Sequence, residues 1–150
     1  MATLTALQRP YLVPAPVYTD DRGAFVAITN ELSKELAIAR VYAINNFGRG
    51  VIRGFHKHQR EVKMFYVACG AAKFVTVAGG GEEQDQHVFV LSDRQPTVLV
   101  IPPGWYNGWM SLEEGTILIG MSNAVFRESA ADDERVDPYA FGDVWKVVAR

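Results

Sequence analysis

A chain of 150 residues, 49% hydrophobic and 21% charged, has enough apolar material for one globular domain over residues 1–150. The formal net charge of -2 gives no general attraction to nucleic acid or to an anionic membrane, so we expect neither as a partner. With one cysteine, Cys69, the chain forms no internal disulfide, and an apolar setting predicts that this thiol is buried. The N-terminus is a poor signal peptide and no run of about 18 apolar residues is present, which predicts a cytoplasmic protein.

Short β-rich segments separated by turn signals run through most of the sequence. YLVPAPVY and AFVAI flank the turn-forming TDDRG, and NELSKELAIA is the helix candidate, because Asn30 can cap it and Leu32 and Leu36 share a face. The predicted strands that follow are RVYAINNF, KMFYVAC, AKFVTV, QHVFVL, TVLVI and GTILIGMS. About eight short strands at regular spacing favour an all-β, double-sheet jelly roll with a short N-terminal helix.

The segment RGFHKHQREVKMFYVACG concentrates polar side chains just ahead of an apolar strand. His56 and His58 stand two positions apart, so on a strand both imidazoles face the same side. Arg53 precedes the pair and Lys63 follows it, which places four basic groups within eleven residues. This concentration predicts a functional site, and a pair of histidines also suggests a metal ion.

A jelly roll with an H-x-H pair resembles the cupin superfamily, whose metal-binding members use two histidines, a glutamate and a further histidine as ligands. In this chain the last two positions hold Lys63 and Asn107. A protonated lysine repels a dication, and a neutral amide is a poor ligand for zinc, iron or copper. Glu61 lies nearby, but it stands two positions from Lys63 and can pair with it. The sequence therefore predicts no metal site.

Six segments in order match the pattern of one family: DDRGAF, INNFGRG, GVIRGFH, KMFYVACGAAKFVTV, VIPPGWYNGW and DDERVDPYAF. They resemble elements of the dTDP-4-dehydrorhamnose 3,5-epimerases, cupins that work without metal, over nearly the whole chain. GVIRGFH corresponds to their G-V-L-R-G-L-H signature. RGFHKH also resembles the R-G-x-H-x-H of the sugar 3,4-ketoisomerases, related cupins that act on the same kind of dTDP-4-keto-6-deoxy sugar.

The resemblance implies a homodimeric enzyme without a cofactor, which moves a proton beside the ketone of a nucleotide-linked sugar in polysaccharide or glycosylated-metabolite biosynthesis. Such chemistry needs a base of near-neutral pKa, a cation near the carbonyl oxygen and a group that returns the proton. His56 matches the family's base, and histidine's ordinary pKa suits that role. Lys63 matches the family's lysine and can hold the enolate oxygen, while His58 is the second histidine of the ketoisomerase pattern.

The expected substrate-binding residues are arginines, aromatic rings and amides. Arg53 and Arg22 match arginines that the family uses around the diphosphate and the pocket, and a guanidinium can bind phosphate oxygens in a bidentate way. The remaining candidates are Phe25, Tyr106, Asn45 and Asn107.

One departure from the family pattern leaves the reaction open. The epimerases place a tyrosine, their proton donor on the opposite face of the sugar, in a region that here reads GMSNAVFRES. Single-site epimerisation, 3,4-ketoisomerisation with His56 and His58, and loss of activity are therefore all open, and Tyr66 or Tyr106 can replace the missing acid. Alternatives from other classes are a non-catalytic sugar-nucleotide-binding cupin and a metal-dependent cupin.

Overall fold

Two five-stranded antiparallel sheets face each other in the computed structural model, which describes residues 9–30, 32, 36–80 and 85–150. The first sheet has the strand order β1-β9-β6-β11-β4, the second has β12-β5-β10-β7-β8, and β2 pairs with β3 in a separate hairpin. This arrangement confirms the predicted all-β jelly roll. The strands are β1 Tyr11–Pro14, β2 Val17–Asp20, β3 Gly23–Val26, β4 Arg40–Asn45, β5 Ile52–Lys57, β6 Lys63–Cys69, β7 Ala71–Ala78, β8 Gln86–Ser92, β9 Thr97–Ile101, β10 Trp105–Ser111, β11 Ile117–Ser122 and β12 Glu134–Arg135.

Helical structure is sparse. A six-residue helix, α1, spans Phe126–Ala131 and was not predicted. In the predicted helix NELSKELAIA, Leu32 and Leu36 are helical and buried, whereas residues 31 and 33–35 lie outside the described residues. Across the described ranges, no helix is long and apolar enough to cross a membrane.

The main hydrophobic core fills the space between the sheets. Phe65 and Leu99 come from the first sheet, and they meet Phe74, Trp105 and Trp109 from the second. Alternate residues of the same strands point away from this core, as expected for a period of two. They form two outer clusters, one in which Leu32 and Leu36 cover the first sheet and one in which Trp145 covers the second.

The predicted burial of Cys69 is wrong, because its thiol is exposed. Cys69 is the last residue of β6, and the final two positions of that strand are exposed whereas the four preceding Ala68 are buried. The apolar run was read correctly as a strand, but the covering layers end before the strand does.

The neighbouring strands β5 and β10 approach each other closely at Gly54 and Gly108. A Cβ atom on Gly54 would lie 2.7 Å from the Cα of Gly108, and Gly54 has a φ of +153°. The β5–β10 register also shifts between Asn107 and Trp109. This irregularity breaks the strict alternation, so that Arg53 and His56, three positions apart, both face the space between the sheets.

Candidate functional site

A cavity of about 370 Å³ lies between the two sheets. It brings together five of the predicted site residues, which are Arg53, His56, His58, Lys63 and Asn107. The first sheet contributes one wall through β4 and β6, and the second sheet contributes the facing wall through β5 and β10. The other residues that line it are Arg40, Tyr42, Ile44, Phe65, Gly108, Trp109, Phe126, Ser129 and Asp133.

His56 is paired with a carboxylate. Its Nδ1 lies 2.9 Å from Oδ1 of Asp133, just beyond α1. Burial raises the pKa of Asp133, but hydrogen bonds from Arg135 and His56 outweigh it, so the pKa of this carboxyl lies below its usual value. Asp133 is therefore ionised near neutral pH and accepts the hydrogen from Nδ1, which leaves Nε2 of a neutral His56 with a free lone pair.

His58 lies deeper than His56, with a side chain only 4% exposed. Its Nε2 is 3.2 Å from Oε2 of Glu61, 3.4 Å from Oγ of Ser129 and 3.6 Å from Oδ1 of Asp133. Burial lowers the pKa of His58, and the charge of Lys63 lowers it further. His58 is therefore a neutral imidazole near pH 7, and Nε2 carries the hydrogen because a carboxylate can only accept.

Lys63 is the first residue of β6 and lines the same cavity. Burial lowers its pKa below the usual lysine value, although Glu61 and Asp133 act in the opposite direction. The predicted alternative pairing of Glu61 with Lys63 is replaced by other partners, because Glu61 contacts Arg40 and His58 within ion-pair distance. Lys63 is thus a desolvated cation that faces the cavity.

Two polar cavity residues on β4, Arg40 and Tyr42, were not predicted from the sequence. Burial, followed by the charge of Glu61, raises the pKa of Tyr42 to about 12, so its phenol is neutral at working pH. The guanidinium of Arg40 lies 5.0 Å from the centre of the Tyr42 ring and 5.8 Å from that of Phe126, in cation–π geometry. The strand carrying both residues was predicted, but no motif marked them.

The polar wall formed by β5 and β10 is held by amides. Nδ2 of Asn107 donates to the backbone oxygen of His56 at 2.9 Å, and Nε of Arg53 donates to Oδ1 of Asn46 at 2.7 Å. Asn46 is buried, whereas the predicted Asn45 is exposed at the end of β4 and is not among the residues that line the cavity. The neighbouring asparagine is therefore the one that positions Arg53.

Besides Asn45, three predicted site residues lie outside this cavity. Arg22 and Phe25 are exposed on the β2–β3 hairpin, where Arg22 pairs with Asp20. Tyr106 faces the outer side of the second sheet, with its hydroxyl bonded to Glu134 and Nζ of Lys57 at 3.3 Å. Their roles in substrate binding stay predictions. Tyr66 packs into the outer cluster of the first sheet, so neither proposed replacement for the acid lines the cavity.

No group of three or more His, Cys, Asp and Glu side chains in the part of the chain that the structure describes is arranged to hold a metal ion. His56 and His58 instead direct ring nitrogens at the carboxylates of Asp133 and Glu61.

The fold and the cavity define a cupin-type jelly roll with a basic, histidine-bearing interior. Residues 4–148 match the family model described as dTDP-4-dehydrorhamnose 3,5-epimerase, and the chain belongs to this family. The spore coat polysaccharide biosynthesis protein SpsL of Bacillus subtilis (strain 168) is 22% identical over 139 residues, which cover 89% of this chain and 92% of SpsL.

Solved structures share the fold at low sequence identity. The Mycobacterium tuberculosis rmlC epimerase superposes with a TM-score of 0.77 at 16% identity, over 89% of this chain and 71% of that one. QdtA, a sugar 3,4-ketoisomerase from Thermoanaerobacterium thermosaccharolyticum solved in complex with TDP, gives 0.73 at 20% identity, over 89% and 92%. Epimerases and a ketoisomerase thus share this architecture.

Proposed function

We propose that this protein is a metal-independent epimerase or isomerase of a dTDP-linked 4-keto-6-deoxy sugar. The observation that carries the proposal is the His56–Asp133 pair, 2.9 Å apart, in a cavity that also holds a desolvated Lys63. A base and a cation around one cavity are the two groups that enolate formation beside a ketone requires. Family membership supports the same substrate class.

His56 removes the proton. Asp133 holds the hydrogen on Nδ1, so Nε2 is the basic nitrogen, and the carboxylate stabilises the imidazolium that forms when Nε2 takes the proton. The electron pair of the broken C–H bond moves into the enolate, whose oxygen carries the developing negative charge.

Lys63 stabilises that oxygen. A desolvated ammonium interacts strongly with a developing anion. Because it is already in position, the site does not have to reorganise during the reaction. The same cation stands where metal-binding cupins have a glutamate ligand, and Asn107 stands where they have a histidine. These two replacements support enolate stabilisation by lysine in place of a metal ion.

Tyr42 returns the proton in this proposal. It lies on β4 in the first sheet, whereas His56 lies on β5 in the second, so the two groups approach a bound sugar from facing walls. Its raised pKa keeps the phenol protonated. Phe126 lines the cavity in the region where the family places its tyrosine, and it has no hydroxyl to donate. Return to the opposite face of the carbon that lost the proton gives epimerisation. Return at the former ketone carbon C4, with the proton of the C3 hydroxyl passing to the C4 oxygen, gives 3,4-ketoisomerisation.

Arg53, at the exposed side of the cavity, supports binding of the nucleotide diphosphate. Arg53 is exposed at the cavity and fixed by Asn46, which leaves its terminal guanidinium nitrogens to face phosphate oxygens. Binding of TDP by QdtA, which shares the fold, supports a thymidine nucleotide. We also propose a homodimer, to be tested by light scattering.

The test is proton exchange in D₂O with a dTDP-4-keto-6-deoxy sugar, followed by NMR. Deuterium at C3 or C5 with an inverted centre identifies an epimerase, and a carbonyl moved from C4 to C3 identifies a ketoisomerase. Nucleotide-sugar binding without deuterium uptake would overturn the catalytic proposal in favour of a binding protein. Activity that is lost with a chelator and restored by one metal would overturn metal independence.

A further inference from the structure

Glu61 is a buried carboxylate that the proposed mechanism does not use. Its side chain is 1% exposed and lies in the segment between β5 and β6. Oε1 accepts from Nη2 of Arg40 at 3.0 Å and from Oγ of Ser122 at 2.6 Å. Oε2 accepts from Oγ of Ser129 at 2.7 Å and lies 3.2 Å from Nε2 of His58. Both oxygens are therefore fully used by donors from four separate parts of the fold.

Three of these four donors line the cavity, whereas Ser122 lies behind it. Arg40 begins β4, Ser129 belongs to α1 and His58 follows β5, so one carboxylate fixes three elements that meet around the substrate space. Burying such a carboxylate without partners would strongly disfavour folding, and the four donors offset that effect. A hydrophobic residue would fill the same place without a desolvation penalty, so packing alone does not explain a buried charge here.

We propose that Glu61 is a positioning residue for proton transfer, which holds Arg40 and His58 in the orientations they present to the sugar. The inference rests on the proposed function, because it assigns Glu61 a part in that reaction. It accounts for the tautomer of His58, whose Nε2 hydrogen points to Glu61. Nδ1 is then a bare acceptor, buried and without a hydrogen-bond partner among the described residues.

The charge of Glu61 acts on the same groups through space. It raises the pKa values of His58, Lys63 and Tyr42. For His58 and Lys63 this opposes the effect of burial, which lowers their pKa values, and for Tyr42 it adds to the effect of burial. Removing the charge therefore lowers all three pKa values. The other charged groups that act on these residues are Arg40, Asp132 and Asp133.

The decisive variant is Glu61→Gln, which keeps the shape and removes the charge. We expect the alkaline limb of the deuterium-exchange profile to move down by about one pH unit, because Lys63 loses a nearby opposite charge. The amide also donates to Nε2, so the ¹⁵N shifts of His58 should report a hydrogen moved to Nδ1. A residue with a purely structural role would lower the folded fraction without moving either readout.

Two further variants keep the test decisive if Glu61→Gln folds poorly. Glu128→Gln makes the same change at an exposed acid on α1, whose carboxylate accepts from the backbone N–H of Val125, and it should leave the pH profile unchanged. Glu61→Asp keeps the charge but shortens the side chain by one methylene. The alkaline limb of the deuterium-exchange profile should therefore stay in place, whereas kcat should fall at least about tenfold because the contacts with Arg40 and His58 are lost.

Two results separate failure of this inference from failure of the proposed function. Wild-type protein that exchanges no deuterium contradicts the proposed function itself. Wild-type exchange together with an unchanged pH profile and His58 tautomer in Glu61→Gln, or full activity in Glu61→Asp, overturns the role of Glu61 alone.

Discussion

His56 and Asp133 are joined by a 2.9 Å hydrogen bond although 77 positions separate them in the chain. The contact forms because β12, which follows Asp133, pairs with β5 and brings Arg135 opposite His56. A two-residue edge strand therefore delivers the carboxylate that orients the proposed base.

Replacing Asp133 by asparagine should lower the rate of deuterium exchange by about 10²-fold or more, because an amide no longer selects the productive tautomer or stabilises the imidazolium. Asp132→Asn is the matched control. Its carboxylate accepts from the backbone N–H of Arg60 rather than from a histidine. Equal losses in the two variants would show that charge near α1, and not the contact with His56, carries the effect.

Lys63→Met should lower exchange by about 10²-fold or more through loss of enolate stabilisation. The folded-state pKa of Lys63 is below its unfolded value, so the charged lysine disfavours folding at neutral pH and the penalty fades as pH rises through the folded-state pKa. The variant should therefore unfold at a higher temperature than wild type at pH 7. Lys73→Met, on β7, is the control for exchange. A variant that is less stable and equally active would contradict both expectations.

The pH profile of the wild-type protein carries a separate prediction. Because burial lowers the pKa of Lys63, exchange should decline on the alkaline side at a pH below the usual lysine value of 10.5. Tyr42 has a pKa of about 12, so its ionisation should cause no decline in the exchange rate below pH 10.5. A rate that stays constant up to pH 10.5 would exclude Lys63 as the group that holds the enolate oxygen.

Tyr42→Phe separates proton removal from proton return. Loss of the phenol should leave deuterium uptake at the carbon next to the ketone within about tenfold of wild type, because His56 can return a deuteron to the face it attacked. Net formation of epimer or ketoisomer should fall much further. Tyr66→Phe removes a phenol that lies outside the cavity and should change neither readout. Product loss in this control, with Tyr42→Phe active, would reassign the acid.

The strands with strong apolar patterns could be predicted from the sequence, and the strands that carry the site were harder. TVLVI and GTILIGMS correspond to β9 and β11, whose burial leaves little choice of structure. β10 is not among the predicted strands, because the glycine and asparagine of WYNGWMS weaken its pattern. Gly108 allows β10 to approach β5 closely, and Asn107 places its amide at the cavity.

Four of the five predicted residues that line the cavity are close in sequence, and Asn107 is the exception. Arg53, His56, His58 and Lys63 lie within eleven positions and meet at the cavity. Asp133 was missed because its partner His56 is distant in the chain, and Tyr42 was missed because no motif marks it. The quoted segment DDERVDPYAF contains Asp133, but only the pairing of β12 with β5 shows which histidine it reaches.

The close approach of β5 and β10 makes a prediction about stability. Gly54→Ala should lower the free energy of unfolding by about 1–3 kcal/mol, because its Cβ would lie 2.7 Å from the Cα of Gly108 and a backbone atom cannot move aside. Gly48→Ala is the control, since its nearest neighbours would be 3.9 Å away. Chemical denaturation measures both. Equal stabilities would mean that the two strands separate without cost.

The most direct measurement compares solvent deuterium uptake by a dTDP-4-keto-6-deoxy sugar with wild-type protein and with His56→Gln at pH 7. His56 as the base predicts measurable uptake beside the ketone in the wild type and a decrease of about 10²-fold or more in the variant, with the fold intact by circular dichroism. Equal uptake by the two proteins would contradict proton removal by His56.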